Sequence, residues 1–248
     1  MNPVRAALLA LSAAGVLRAD GLGDLKAALQ RLPGNAAVKG TVELRLNRQT
    51  LEDKKPVLIR GHAAARVEDG PKGLQIAFAR EDLQHAAAEA RAQFANPERP
   101  APHRVGLREA DALDAAELLN HGEALARYLD KAILVEERRE AWNGRPARVI
   151  ALKVDPPLPR SQRRYLKKLD VDARIWIGED GAPLALSYKA TYSGSRFLIS
   201  FKGSIQEERR FAVLGDRLVV LARSVEEAAS GFGFSYTNQR NATFSPER

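Results

Sequence analysis

From Lys39 onward, apolar and polar residues alternate with a period of two: Val42, Leu44 and Leu46 interleave with Thr41, Glu43, Arg45 and Asn47. A half-buried strand has this pattern, because successive side chains point to opposite faces of a sheet. Two further strands are predicted over residues 56–67 and 74–79, separated by the turn residues Glu68, Asp69, Gly70 and Pro71. After Asp130 the same period recurs in segments joined by compact turns. Trp142-Asn143-Gly144-Arg145 predicts a type I′ turn, since Asn-Gly tolerates positive φ, so 132–142 should pair with 146–154. In the same way Gly178 to Gly181 joins 171–177 to 184–192, and Ser193-Gly194-Ser195 leads into 196–208. Leu214-Gly215-Asp216 precedes 217–225, and Ser230-Gly231 precedes a last strand ending near Thr243. Connections this short permit antiparallel neighbours only.

The period lengthens to that of a helix in three places. Residues 24–32 carry Leu25, Leu29 and Leu32 at helical spacing, with Asp24 as an N-cap and Pro33-Gly34 as a stop. Residues 81–94 are rich in Ala and Glu, and Leu83, Ala87, Ala90 and Phe94 share a face until Pro97, Pro100 and Pro102 break the pattern. A third stretch, 110–129, points Leu113, Leu118, Leu125 and Leu129 inward, with Gly122 as a place where it could split. The two later stretches are expected to pack on the sheet as a helical insertion at about 81–129. Late in the chain Phe197, Ile199, Phe201 and Ile205 alternate with Arg196, Ser200, Lys202, Ser204 and Gln206, while Leu184, Leu186 and Tyr188 alternate with Ser187 and Lys189. One sheet face is therefore wet, and the other needs a cover that the helices can supply. The fold class expected is α+β, mainly β: a curved antiparallel sheet wrapped over a few helices.

The N-terminus changes the picture of where this fold works. Met1-Asn-Pro-Val-Arg5 is a short positive segment, and the uncharged run from Ala6 to Leu17 is dominated by Ala and Leu. That is the pattern of a signal peptide. The run is shorter than the roughly 20 apolar residues a membrane-spanning helix takes. Cleavage is expected after Ala19, leaving residues 20–248 as a single domain; the competing reading is an amphipathic helix retained in a cytosolic protein. The chain has no cysteine, so neither a disulfide nor an acylated lipobox cysteine is available. A hydrophobic fraction of 45% with 28% charged residues argues for a folded core over disorder. The net charge of +8 loses two units with Arg5 and Arg18. A basic protein outside the cytosol meets anionic lipid and wall polymers before nucleic acid, so the expected site is the periplasm.

Several segments also resemble a known family. They are Leu32-Pro33-Gly34 after the first helix, the strand Val38-Lys-Gly-Thr-Val42, and the hairpin Glu140-Ala-Trp-Asn-Gly144-Arg-Pro-Ala147 running into Ala151-Leu-Lys-Val-Asp155-Pro156. The last is Ala173-Arg-Ile-Trp-Ile177 before Asp180-Gly-Ala-Pro-Leu184. Together they resemble the periplasmic lipoprotein-carrier superfamily (LolA/LolB-like), including the related domain of the periplasmic regulators of envelope-stress sigma factors. The resemblance implies that the curved sheet is an open half-barrel, an unclosed barrel with a helical lid and a hydrophobic cavity for acyl chains or a lipidated partner. The insertion at 81–129 is long for a carrier, and no motif transfers a lid or cavity arginine to this chain.

Such a cavity would be lined by Val42, Leu44, Leu46, Leu184, Leu186, Tyr188, Phe197, Ile199 and Phe201. The same residues would serve equally as ordinary core, because burying each contributes about 1.5–3 kcal/mol whatever the function. A second candidate is the basic segment 159–169, where Arg160, Arg163, Arg164, Lys167 and Lys168 interleave with Tyr165, Leu166 and Leu169. As a helix it would be basic and amphipathic, suited to an anionic membrane surface or an acidic partner, or it is a solvated connector.

Catalytic patterns are missing. His62, His85, His103 and His121 are far apart in sequence, with no His-Glu-x-x-His and no cysteine for zinc, which leaves only a site assembled from distant segments. There is no Gly-x-Ser-x-Gly, no phosphate-binding Gly-Lys-Ser/Thr, and no singled-out carboxylate pair. The expectation is a non-enzymatic, monomeric periplasmic binding protein with no cofactor and no specific nucleic-acid ligand. It would take a lipid, a lipoprotein or another hydrophobic ligand; the alternative is an interaction or sensor domain without lipid cargo.

Overall fold

A computed structural model of the chain describes residues 20–52, 55–156, 158–196, 199–231 and 233–247. The expected signal peptide and Phe197 lie outside the described residues. The alternating segments form ten strands: β1 (Val38–Glu52), β2 (Lys55–Gly70), β3 (Gly73–Phe78), β4 (Ile133–Trp142), β5 (Arg145–Lys153), β6 (Leu166–Ile177), β7 (Pro183–Arg196), β8 (Ile199–Leu214), β9 (Arg217–Gly231) and β10 (Phe234–Pro246). They make one sheet in the order β3-β2-β1-β10-β9-β8-β7-β6-β5-β4, antiparallel throughout. Among the described residues β3 and β4 are unpaired edges, so the sheet is open, as the family resemblance implied, and its hairpins are antiparallel, as the short turns implied. Asn143 at φ 49° and Gly144 at φ 77° make the left-handed pair that the β4–β5 turn requires.

The sheet order explains the cover. β3 and β4 are sequence neighbours at opposite edges, so the chain between them must cross the full width of one face. It does so as α2 (Arg80–Ala95), α3 (Pro102–Glu109), α4 (Ala112–Leu119) and α5 (Gly122–Leu129). α1 (Gly21–Gln30) joins α5 beside β5. Leu22, Leu25 and Leu29 of α1 and Leu118, Leu125 and Leu129 of α4 and α5 meet Ile150, Ile175, Phe211 and Leu218 in the main core. A second cluster unites Val38, Val67, Leu119, Val219 and Phe244.

Several details differ from the sequence reading, among them Ser193-Gly194-Ser195, expected as a turn, which lies within β7. The first helix starts earlier, with Asp20 as the cap accepting from Leu22 N at 3.0 Å, while Asp24 pairs with Arg148 Nη2 at 2.6 Å. The stretch 110–129 does split just before Gly122, as that glycine allowed, because His121 leaves helical pairing and donates its backbone N–H to Leu218 O at 2.8 Å. Within α4 the buried face is Ala115, Leu118 and Leu119, so Leu113 faces outward and is 80% exposed. α2 buries no residue and packs on α3 rather than on the sheet, leaving Phe94 95% exposed. The basic segment is not an amphipathic helix: a single turn, α6 (Arg160–Arg163), precedes β6, and Lys167 and Lys168 lie on the strand. Leu166 and Leu169 have helical spacing; pairing with β7 overrides it, and a register shift between Leu166 and Lys168 leaves both leucines half-buried on the strand.

Candidate functional site

The helices cover only part of the face they cross. Over its middle they are fastened by ionic side chains of alternate strand positions. Glu207 of β8 accepts from Arg209 Nε at 2.7 Å and from Arg223 Nε of β9 at 2.6 Å. Asp114 of α4 accepts from Arg240 Nη2 of β10 at 2.5 Å, and Glu117 accepts from Arg209 Nη1 at 3.2 Å. Burial alone would raise the Glu207 pKa, but the guanidinium groups of Arg209 and Arg223 outweigh it and hold the carboxyl below its ordinary value. Beneath this cover the spaces are small: about 40 Å³ near Leu44, Ala63, Val67 and Leu118, and about 120 Å³ near Asp114, Val225 and Arg240. Pockets for drug-sized ligands run to roughly 300–1,000 Å³.

Beyond Ile205 the same face continues without helices. Its floor is built from aromatic rings laid over glycines of the neighbouring strand. A Cβ at Gly194 would meet the Phe201 ring at 2.6 Å, one at Gly203 the Tyr192 ring at 2.4 Å, and one at Gly231 the Phe234 ring at 2.3 Å. These are cross-strand relationships: Gly194 is opposite Phe201, Tyr192 opposite Gly203, and Gly231 opposite Phe234. Glycine lets each ring lie flat, so the floor is apolar and shallow. Tyr192 and Phe201 are 6.5 Å apart between ring centroids. Burial, and after it the carboxylate of Glu227, raises the Tyr192 pKa, so its phenol stays protonated.

One rim of this floor is basic. Leu166 lies opposite Gly194, which places the start of β6 beside Phe201. The guanidinium groups of Arg164 and Arg196 stand 4.7 and 5.2 Å from the Tyr165 ring centroid. At the same end of the sheet Lys167, Ser193, Ser200, Lys202 and Ser230 line a trough of about 480 Å³ along the edges of Gly194, Phe201 and Gly231; Ser193, Lys202 and Ser230 alternate with those three residues and point to the opposite face. It runs into a second trough of about 490 Å³ on that opposite face, lined by Lys168, Thr191, Ser193, Lys202, Ser204 and Ser230.

No protein-family model matches the chain, and no curated protein matches it. Among solved structures, the crystal structure of MucB in complex with MucA(peri) is similar at a TM-score of 0.24 and 14% sequence identity, over 90% of this chain and 94% of that one. A likeness that slight says nothing about ligand or activity.

The sequence-derived candidates are distributed unevenly over this surface. Leu44 and Leu46 are 5% and 1% exposed and belong to the interior. Val42, Leu186 and Tyr188 are half-buried and pack against the main core. Leu184 is half-buried, Phe201 is half-buried on the open floor, and Ile199 is 47% exposed at its end. Of the basic residues, Arg163 pairs with Asp155 at 2.6 Å and Lys168 with Asp170 at 3.0 Å, whereas Lys167 lines the trough and Arg164 stacks on Tyr165. Arg160 is exposed on α6. Ile199, Phe201, Arg164 and Lys167, proposed for two different roles, thus share one end of the sheet. Tyr192, Phe234 and the three glycines were not among the candidates; glycine recurring within alternating strands is the signal that marks them.

Proposed function

We propose that this chain is a non-enzymatic binding protein of the bacterial cell envelope, working in the periplasm, and that its ligand surface is the helix-free end of the sheet. The observation that carries this reading is the junction of a helix-free aromatic floor with a basic rim: Tyr192, Phe201 and Phe234 beside Arg164 and Arg196, which flank Tyr165, and Lys167. The occupant this chemistry fits is amphipathic and acidic. An extended segment of an envelope protein, lipidated or not, can lay apolar side chains on the floor and carboxylates on the rim. An enclosed acyl chain has less to recommend it, because the spaces under the helices are about 40 and 120 Å³.

A second reading, binding of an anionic lipid, is favoured by the same pairing of apolar and cationic groups, which a phospholipid also satisfies. The two separate in one experiment. A photocrosslinking amino acid replaces exposed Ile199 in the periplasm of the native bacterium, with exposed Leu113 as a control position. A discrete protein adduct at 199 and none at 113 supports the interaction domain. Lipid adducts, together with reproducible lipid in an organic extract of the purified protein, support the lipid binder. Equal labelling at 199 and 113 rejects the open end as a ligand surface.

A further inference from the structure

Three of the four histidines, distant in sequence, converge where α2 and α3 meet the outer edge of β2. The ring centroid of His103 lies 4.3 Å from that of His62 and 4.8 Å from that of His85. Asp82 and His85 are three residues apart on α2, hence on one face of the helix. Candidate ligand atoms of Asp82, His85 and His103 all lie within 4.8 Å of one another. We infer that Asp82, His85 and His103 form a binding site for a divalent transition metal, with His62 at its margin.

The surroundings of His103 prepare it for that role. Its Nδ1 donates to Glu89 Oε1 at 2.7 Å, which leaves Nε2 as the nitrogen with a free lone pair. Glu89 is itself held: it accepts the backbone N–H of His103 at 3.3 Å and of Arg104 at 2.9 Å, at the first turn of α3. A ligating histidine whose other nitrogen is bound by a fixed carboxylate is the usual outer-shell arrangement of metal sites. Glu89 is a positioning residue here, since it touches the ligand and not the metal. Zinc–nitrogen bonds of about 2.0–2.1 Å put tetrahedral ligands about 3.4 Å apart, so the three groups need to draw together by about an ångström. His85 is exposed and can turn freely. Two imidazoles and one carboxylate are a donor set for Zn²⁺, and equally for Ni²⁺ or Cu²⁺, in preference to Mg²⁺ or Ca²⁺.

The position gives the metal something to do. α2 buries no residue of its own, and its contacts are with α3. A metal bound by Asp82 and His85 from α2 and His103 from α3 straps the outer helix to the inner one. α3 in turn sits directly on the β2 backbone, where a Cβ at Gly106 would fall 1.9 Å from the His62 carbonyl oxygen. Metal binding therefore orders an arm that apolar packing holds only loosely.

The test uses the mature, tag-free protein, stripped with EDTA and titrated with ZnCl₂ by calorimetry, with Co²⁺ absorption reporting the ligand field. We expect one equivalent of Zn²⁺, weakened at least tenfold in His85→Ala and Asp82→Asn, both surface changes on α2 that leave circular dichroism unaltered. Glu89→Gln should weaken binding about ten- to hundredfold. Zinc should also slow amide hydrogen exchange along residues 80–95. Failure of the wild type to take up stoichiometric Zn²⁺, or wild-type affinity in both His85→Ala and Asp82→Asn, would overturn the site. Unchanged exchange in α2 would overturn the strap, and wild-type affinity in Glu89→Gln the positioning role.

Discussion

The imidazole of His121 accepts a hydrogen bond from the guanidinium of Arg209 at a point where His121 is fully buried and Arg209 is 8% exposed. His121 also stacks on Phe211, with ring centroids 5.5 Å apart. To accept from Arg209 the ring must be neutral. Burial, and after it the charges of Arg209 and Arg223, lowers its pKa from 6.5 to about 3. The pair fastens the α4–α5 junction to the sheet.

Stability should therefore fall as pH drops from about 6.5 toward 3. In that window the unfolded chain protonates His121 and the folded chain does not, so acid draws the equilibrium toward unfolding; above 6.5 both states are neutral and the effect vanishes. One proton limits the slope to about 1.4 kcal/mol per pH unit. Urea midpoints of the wild type and His121→Gln, compared at pH 7 and pH 5, should show a larger acid loss in the wild type. Parallel losses would contradict the neutral, buried ring.

Glu207→Gln should destabilise the protein by about 3 kcal/mol, because it removes the carboxylate that bridges two guanidiniums, one of them almost fully buried. Equilibrium urea unfolding measures this. A loss under about 1 kcal/mol would match an exposed ion pair and contradict the bridge.

Gly106→Ala tests the seat of α3. A methyl group there meets backbone of β2, not a side chain that could swing aside. Overpacking of this kind costs about 1–3 kcal/mol. Limited proteolysis should show earlier cleavage within 80–109 than in the wild type, with the rest of the sheet protected.

Gly144→Ala isolates backbone strain. Gly144 has φ 77° and open space around a would-be Cβ, so the cost is conformational alone, about 1–2 kcal/mol. Thermal unfolding should drop by a few degrees without change in ligand or metal binding.

The strands were legible in the sequence because their signals are local. A period of two, as in Val42, Leu44 and Leu46, requires only that one face be buried, and Asn143-Gly144 carries its turn geometry in two residues. Short connections set the neighbours β1–β2–β3 and β6–β7–β8–β9–β10, whereas the pairing of β1 with β10 joins distant segments. What those signals omit is everything set by contact between distant segments. Leu113 is apolar like Leu118, yet it is exposed, because five residues along one helix turn it about 140° away from the face on which Ala115, Leu118 and Leu119 are buried. Lys167 and Lys168 suited a helix until β7 supplied strand partners. The meeting of Ile199 and Phe201 with Arg164 and Lys167 needed the β6–β7–β8 register to bring two separate patterns to one rim. His62, His85 and His103 are unremarkable by spacing. They converge only because α2 folds back on α3 and Gly106 lets α3 rest on the strand that carries His62. Periodicity is a property of neighbours along the chain, whereas a site is a property of neighbours in space.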